Sequence, residues 1–303
     1  MTARTIAITG ASGLIGTALA EYLAARGDRV VKFTRTGRSS DTTIAWNPAT
    51  GTIDAARLSG VDAVVHLAGA GIGDKRWSNE YKKEILDSRV KSTTLLSKAM
   101  ADATDGPKVL LSGSAIGFYG ASESIEFDEK SPAGHGFLAD VCGLWEDSTV
   151  AASQAGIRVA HLRTGIVLSP RGGALAKLLP LFKLGAGGKM GSGRQWQSWI
   201  SIDDEVAAID FLLQADVTGA VNLTAPQPVT QAEFTKTLAK VLHRPSFLPI
   251  PSIGPKLLLG TELANALLFT GQKVQPEVLL AAGYSFIHPD LESALRSLLN
   301  RPN

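Results

Sequence analysis

The feature that most constrains this chain is Thr9-Gly10-Ala11-Ser12-Gly13-Leu14-Ile15-Gly16. It directly follows the apolar run Thr5–Thr9 and opens a helical pattern. Each glycine has a physical task. Gly10 allows a tight turn off the strand, Gly13 lets the backbone approach a pyrophosphate, and Gly16 lets helix and strand pack closely. The helix that follows offers free N–H groups and a positive dipole end to an anion. Gly10, Ser12, Gly13, Leu14, Ile15 and Gly16 are therefore the expected phosphate cradle.

Apolar runs at 5–9, 29–34, 63–68, 108–112, 158–162 and 220–224 alternate with helical patterns at 14–26, 80–103 and 144–155. Most runs are too uniformly apolar for one-sided strands, as expected of a parallel sheet covered on both faces. The alternation predicts an α/β fold, a doubly wound Rossmann parallel sheet with a smaller, mostly helical C-terminal lobe. After Leu168 the texture changes. The glycine-rich run 184–195 reads as a loop, and Pro245, Pro249, Pro251 and Pro255 break a helical C-terminal part. The expected division is 1–165 with 200–224 for the nucleotide-binding domain, and 166–199 with 225–303 for a substrate-side lobe.

The second run ends in Phe33-Thr34-Arg35. NAD-specific folds of this kind place an acid there to accept from the ribose 2′-OH. A guanidinium instead matches a 2′-phosphate, so Arg35 selects NADP(H). The run 63–69 ends in small residues, Ala68 and Gly69, where the backbone passes under a cofactor. His66 inside it reads as a core residue, and His135, His161, His243 and His288 have no ligand spacing, so no metal is expected.

The 303 residues are 45% hydrophobic and 19% charged, enough apolar content for a packed core. A net charge of +2 without a basic block argues against nucleic acid and anionic membranes. No apolar run reaches spanning length, and the first strand is too short for a signal peptide. With Cys142 the single cysteine, the expectation is a soluble cytoplasmic protein.

The glycine motif, VVHLAG and LSGSAIGFYG resemble the extended short-chain dehydrogenase/reductase superfamily. More specifically, four segments are similar to its atypical, sugar-epimerase-like branch with that branch's typical C-terminal domain: 76–93, 137–146, 168–204 and 271–286. The resemblance implies cofactor contacts at Thr34, Arg35, Leu67, Ala68, Glu84 and Arg89, with Val167 near a nicotinamide. It also implies a Ser–Tyr–Lys set, in which the tyrosine moves the proton and the lysine four residues later lowers its pKa. Ser114 can stand for the serine. Leu138 and Cys142 stand where the tyrosine and lysine belong, and no Tyr-x-x-x-Lys spacing follows Ser114. Tyr119 is the nearest replacement acid. Ala70 and Ser201 also depart from the acid and histidine common in that branch.

The run 185–193, followed by Gln195, Trp196 and Trp199, suggests a ligand pocket with backbone donors and flat apolar walls. Gln195 and Trp199 are its candidate substrate contacts, and Lys189 and Arg194 suit a sugar-like or anionic small molecule. Asp203 and Asp204 are expected to cap a helix over 205–214. These features leave two functions open. One is an NADP(H)-binding, epimerase-like oxidoreductase without the usual Tyr/Lys pair. The other is a catalytically quiet NADP(H)-binding sensor or regulator.

Overall fold

The computed structural model describes residues 3–247 and 249–301. Its strands are β1 (Thr5–Thr9), β2 (Arg29–Thr34), β3 (Thr43–Asn47), β4 (Thr52–Ile53), β5 (Ala63–His66), β6 (Val109–Ala115), β7 (Glu126–Phe127), β8 (Arg158–Thr164), β9 (Ile166–Leu168), β10 (Trp196–Gln197), β11 (Trp199–Ser201), β12 (Gly219–Leu223), β13 (Val229–Thr230) and β14 (Lys273–Val274). The helices that matter below are α1 (Leu14–Ala25), α2 (Asn79–Asp102), α3 (Phe137–Asp147), α4 (Val150–Gln154), α5 (Gly173–Lys183), α6 (Ile202–Gln214) and α7 (Gln231–Leu242).

The main sheet has the order β12-β8-β6-β5-β1-β2-β3-β4, and only the β3–β4 pair is antiparallel. From β1 the chain adds β2 and β3 on one side, then returns to lay β5, β6, β8 and β12 on the other. That reversal opens a crevice at the carboxyl ends of β1 and β5, where open α/β sheets bind ligands. β1 and β5 are almost wholly buried because helices cover both faces. One apolar cluster joins Ile6, Ile8, Leu19, Val65 and Ile209; the opposite face packs Ala7, Val31, Val64, Leu96 and Leu110. A third cluster builds the smaller helical part around Leu175, Phe182, Trp199, Phe234 and Leu295. The doubly wound fold with its smaller helical C-terminal region is as expected.

Three local features differ from or add to the sequence reading. The strand β3 was not anticipated. Its alternating burial comes from five residues, too few to stand out beside the polar loop before them. Helix α5 occupies 173–183, where glycines on both sides hide an apolar face of Leu175, Leu179 and Phe182. The helix expected over 205–214 begins at Ile202 and is capped by Ser201, whose hydroxyl accepts from the Asp204 amide at 2.9 Å. Asp204 instead ties down the C-terminal segment: its carboxylate accepts from the Ile287 and His288 amides at 2.7 and 3.0 Å. Among the described residues, no helix is long and apolar enough to cross a membrane.

Candidate functional site

At the end of β1 the chain turns through Gly10 at φ +65, and the Gly13 amide donates to the Gly10 carbonyl at 2.9 Å. A Cβ on Gly10 would lie 2.7 Å from the Leu67 carbonyl oxygen, and one on Gly16 only 2.2 Å from that of Gly10. These two glycines serve the turn and the strand–helix approach. A Cβ on Gly13 would touch only the Gly10 oxygen, at 3.3 Å, so the space above Gly13 is open. Gly13 is also the N-cap of α1, with no side-chain cap and no acid in the first turn. The N–H groups of that turn are left for an anion.

A second brace fixes the end of β5. The Thr9 hydroxyl accepts from the Leu67 and Ala68 amides at 3.0 and 3.1 Å, so its own proton goes to His66 Nδ1 at 2.7 Å. His66 is then the Nε2–H tautomer and donates to Thr93 at 2.8 Å. Burial, helped by the Arg89 cation, holds this imidazole down to about 3, so it stays neutral. His66 is a structural link between β1, β5 and α2.

Between the strand ends lies a cleft of about 330 Å³. Gly10, Gly13, Leu14 and Leu67 line one side, and Ser114, Trp145, Thr164 and Val167 the other. The cradle residues other than Ser12, and two residues implied by resemblance, Leu67 and Val167, thus share one cavity with Ser114. Gly173 at the start of α5 closes the cleft against Leu14. Trp145 lies across Gly113, where a Cβ would come within 2.8 Å of its ring, and its Nε1–H is buried without a partner.

Arg89 reaches this region from α2. Its guanidinium lies 5.0 Å from the Trp145 ring centroid, beside Gly69, and donates to the carbonyls of Ala70 and Ile85 at 3.0 and 3.1 Å. No carboxylate neutralises it among the described residues, which leaves its charge for a ligand. Thr34 closes its own turn by donating to the Thr36 carbonyl at 2.7 Å. Arg35 and Arg38 are exposed beyond β2, and the acid of that loop, Asp41, pairs with Arg57 at 3.5 Å instead. Glu84 is exposed and meets Lys75 at 3.4 Å.

Behind Ser114 lies a buried network that sequence reasoning missed. The Ser114 hydroxyl donates to Glu146 Oε1 at 2.7 Å. Arg163 grips the same carboxylate with two bonds, at 2.8 and 2.9 Å. Burial alone would raise the Glu146 carboxyl, but the Arg163 fork and the Ser114 hydroxyl outweigh it and hold Glu146 below its usual range. Arg163 also donates to the Tyr119 hydroxyl at 2.9 Å, and Tyr119 donates to Asn222 at 2.7 Å. Tyr119 is 2% exposed, stacked on Phe127, and does not line the cleft.

Leu138 and Cys142, at the sites of the absent pair, pack under Gly117. Burial and the nearby Glu146 push the Cys142 thiol up to about 11, so it offers no thiolate. Gln195 and Trp199 are not brought to the cleft. Gln195 is 1% exposed and donates to the Met190 and Leu268 carbonyls; Trp199 is fully buried and donates to the Gln227 carbonyl. The glycines near them serve close packing: a Cβ on Gly187 would lie 2.4 Å from the Phe182 ring. Among the described residues, no three His, Cys, Asp or Glu side chains gather as a metal site.

The sheet order, the open Gly13 turn and the uncapped α1 define a protein of the dinucleotide-binding Rossmann class. The chain belongs to the NAD dependent epimerase/dehydratase family, whose model matches residues 6–224. A second model, a domain of unknown function (DUF1731), matches residues 250–298. An epimerase family protein of Mycobacterium bovis is 44% identical, over 98% of both chains. Human epimerase family protein SDR39U1, solved as a crystal structure with NADPH, is 35% identical over 98% of this chain and all of that one, with a TM-score of 0.89. A nucleoside-diphosphate sugar epimerase of Corynebacterium glutamicum is also 35% identical, with a TM-score of 0.79, and this chain covers 58% of it.

Proposed function

We propose that this protein is an NADP(H)-dependent oxidoreductase of the epimerase family, acting on a small carbonyl or hydroxyl compound. The observation that carries this reading is the cradle itself: an open Gly13 turn before an uncapped helix, with the exposed Arg35 beyond β2. The human relative solved with NADPH supports the cofactor.

The residues present fit that cofactor. The first-turn amides of α1, through Gly13, Leu14 and Ile15 with Ser12 beside them, would hold the pyrophosphate. Arg35, next to Thr34, would pair with the 2′-phosphate. Leu67, Ala68 and Gly69 would pass beneath the adenosine side. Arg89 would reach a ribose or phosphate oxygen, with Glu84 on the same helix, and Val167 would face the nicotinamide. Bound there, the nicotinamide supplies or accepts a hydride.

Ser114 is the residue proposed to orient the reacting oxygen. Its proton is committed to an ionised Glu146, so Ser114 Oγ is best placed to accept from a substrate hydroxyl. Tyr119 cannot play that part without releasing two buried hydrogen bonds. Without a poised tyrosine, turnover of UDP-sugars or simple ketones should be feeble, since a positioned acid contributes about 10²–10⁴-fold.

Calorimetric titration of the wild type and Arg35→Ala with NADPH and NADH tests the cofactor. Tighter NADPH binding, lost selectively in Arg35→Ala, is expected. Equal affinity of the wild type for both cofactors would refute the assignment of Arg35.

A further inference from the structure

On the opposite side of the cleft from the cradle, a second carboxyl has no role in the site described so far. Glu205, on α6, is fully buried. Its Oε1 accepts from the Thr164 hydroxyl at 3.0 Å, and its Oε2 is buried without any hydrogen-bond partner. Thr164 ends β8 and lines the cleft beside Ser114 and Val167. One residue, Thr164, therefore separates this carboxyl from whatever binds there.

The surroundings of Glu205 provide no counter-charge. Helix α6 packs against α1, β6, β9 and β11. The three strands carry no charged residue, and Glu21 of α1 is engaged by Arg171 at 3.1 Å. Tyr22 lies on α1 as well. The other titratable groups around this helix are Tyr284, which donates to Asp204, Asp203 and Asp204 on the same helix, His288 at 3.6 Å from Asp203, and on β8 Arg158, which donates to the Leu212 and Leu213 carbonyls, with His161 and Arg163 facing Glu146. Arg26, at the end of α1, pairs with Asp210 at 3.2 Å. Burial pushes the Glu205 carboxyl up to about 8, and the Thr164 bond opposes this only weakly. As a neutral acid Glu205 can reverse the 3.0 Å bond, with Oε1–H donating to the Thr164 oxygen and the Thr164 proton released for the cleft.

We infer that Glu205 stores the proton for this cleft and passes it, through the Thr164 hydroxyl, to the carbonyl oxygen of a bound ketone or aldehyde, in place of the absent tyrosine–lysine pair. The inference rests on the NADP(H) reading above. As reduced nicotinamide delivers hydride to the carbonyl carbon, the Thr164 O–H bond breaks and its proton joins the substrate oxygen. The Glu205 O–H bond breaks in turn and restores the Thr164 hydroxyl. Glu205 ends as a carboxylate, the substrate as an alcohol, and the cofactor oxidised. Glu205 is a positioning and storing residue; Thr164 is the group that touches the substrate.

The test follows the carboxyl itself. Infrared difference spectra of the full-length protein should show a protonated-carboxyl C=O band at pH 6.5 that disappears near pH 8 and is missing in Glu205→Gln. In D₂O the band shifts as the proton exchanges. That exchange should be several-fold slower in Thr164→Val, and several-fold slower in the wild type once NADPH covers the cleft. NADPH binding is followed separately by its fluorescence. No Glu205-dependent band, or exchange indifferent to both Thr164→Val and NADPH, would overturn the relay while leaving the cofactor reading intact. Failure of the wild type to bind NADPH would overturn both.

Discussion

Replacing Glu205 by Gln should destabilise the protein at low pH and stabilise it at high pH. The native state holds this carboxyl protonated up to about 8, whereas the unfolded chain releases it near the ordinary 4.5. Between these values the native state binds more protons than the unfolded one, so stability falls as pH rises through the window and levels off above it. At about 1.36 kcal/mol per pH unit, the gap amounts to about 5 kcal/mol as an upper bound. Gln keeps the shape and still accepts from Thr164, but its amide brings buried donors without partners, costing about 1–3 kcal/mol. The variant should therefore be less stable than the wild type at pH 5 and more stable at pH 9, with a crossing between. Paired urea melts at the two pH values measure this, and the sign change is independent of the many groups common to both proteins. A variant less stable by the same amount at both pH values would show that Glu205 is ionised throughout, and the reasoning would fail.

Other expectations follow from the same geometry. Gly13→Val should fold with a wild-type circular dichroism spectrum yet lose NADPH binding, because its side chain enters space that only the Gly10 oxygen borders; retained binding would refute the cradle. Gly16→Ala should instead fail to fold stably, since its Cβ would lie 2.2 Å from the Gly10 oxygen, and a wild-type melting temperature would contradict this. Arg163→Met should cost about 3–5 kcal/mol in urea melts by stranding the buried Glu146 carboxylate, and part of that loss should return at acid pH as Glu146 takes up a proton.

How much of this was legible in the sequence depended on range. The cradle is local: three glycines within seven residues specify a turn, a close approach and a helix start, and the structure places them so. The strands that carry long apolar runs were legible for the same reason. Strand β3 and helix α5 were not, because five alternating residues and a helix flanked by glycines give weak periodic signals. The ligand pocket expected beside the run 185–193 rested on composition. In the fold those glycines are spent on packing, and Gln195 and Trp199 on holding backbone carbonyls. The Ser114–Glu146–Arg163 network joins residues from three elements, and only the fold brings them together. Glu205 reads in sequence as one more acid in a helix's first turn; its burial comes from the sheet, α1 and the C-terminal segment closing around it.

The two carboxyls behind the cleft differ in a way that bears on direction of reaction. Glu146 is ionised because Arg163 grips it, and it draws on the Ser114 proton. Glu205 pairs with no cation among the described residues, and burial pushes its carboxyl up to about 8 behind Thr164. Two hydroxyls at neighbouring strand ends, β6 and β8, are thus backed by carboxyls, of which only Glu205, once protonated, can reverse its bond and donate. Environments that push two titratable groups apart are how one site divides acid from base work. On the proposed reading, Ser114 accepts from a substrate hydroxyl during oxidation, and Thr164 donates to a substrate carbonyl during reduction. The side of the cleft where a tyrosine–lysine pair would act is filled by Leu138 and Cys142, packed against Gly117 with no group that titrates near neutrality. The loss of that pair therefore need not silence the site. On that reading the proton chemistry lies at the strand ends rather than on α3, beside the carboxyls of Glu146 and Glu205.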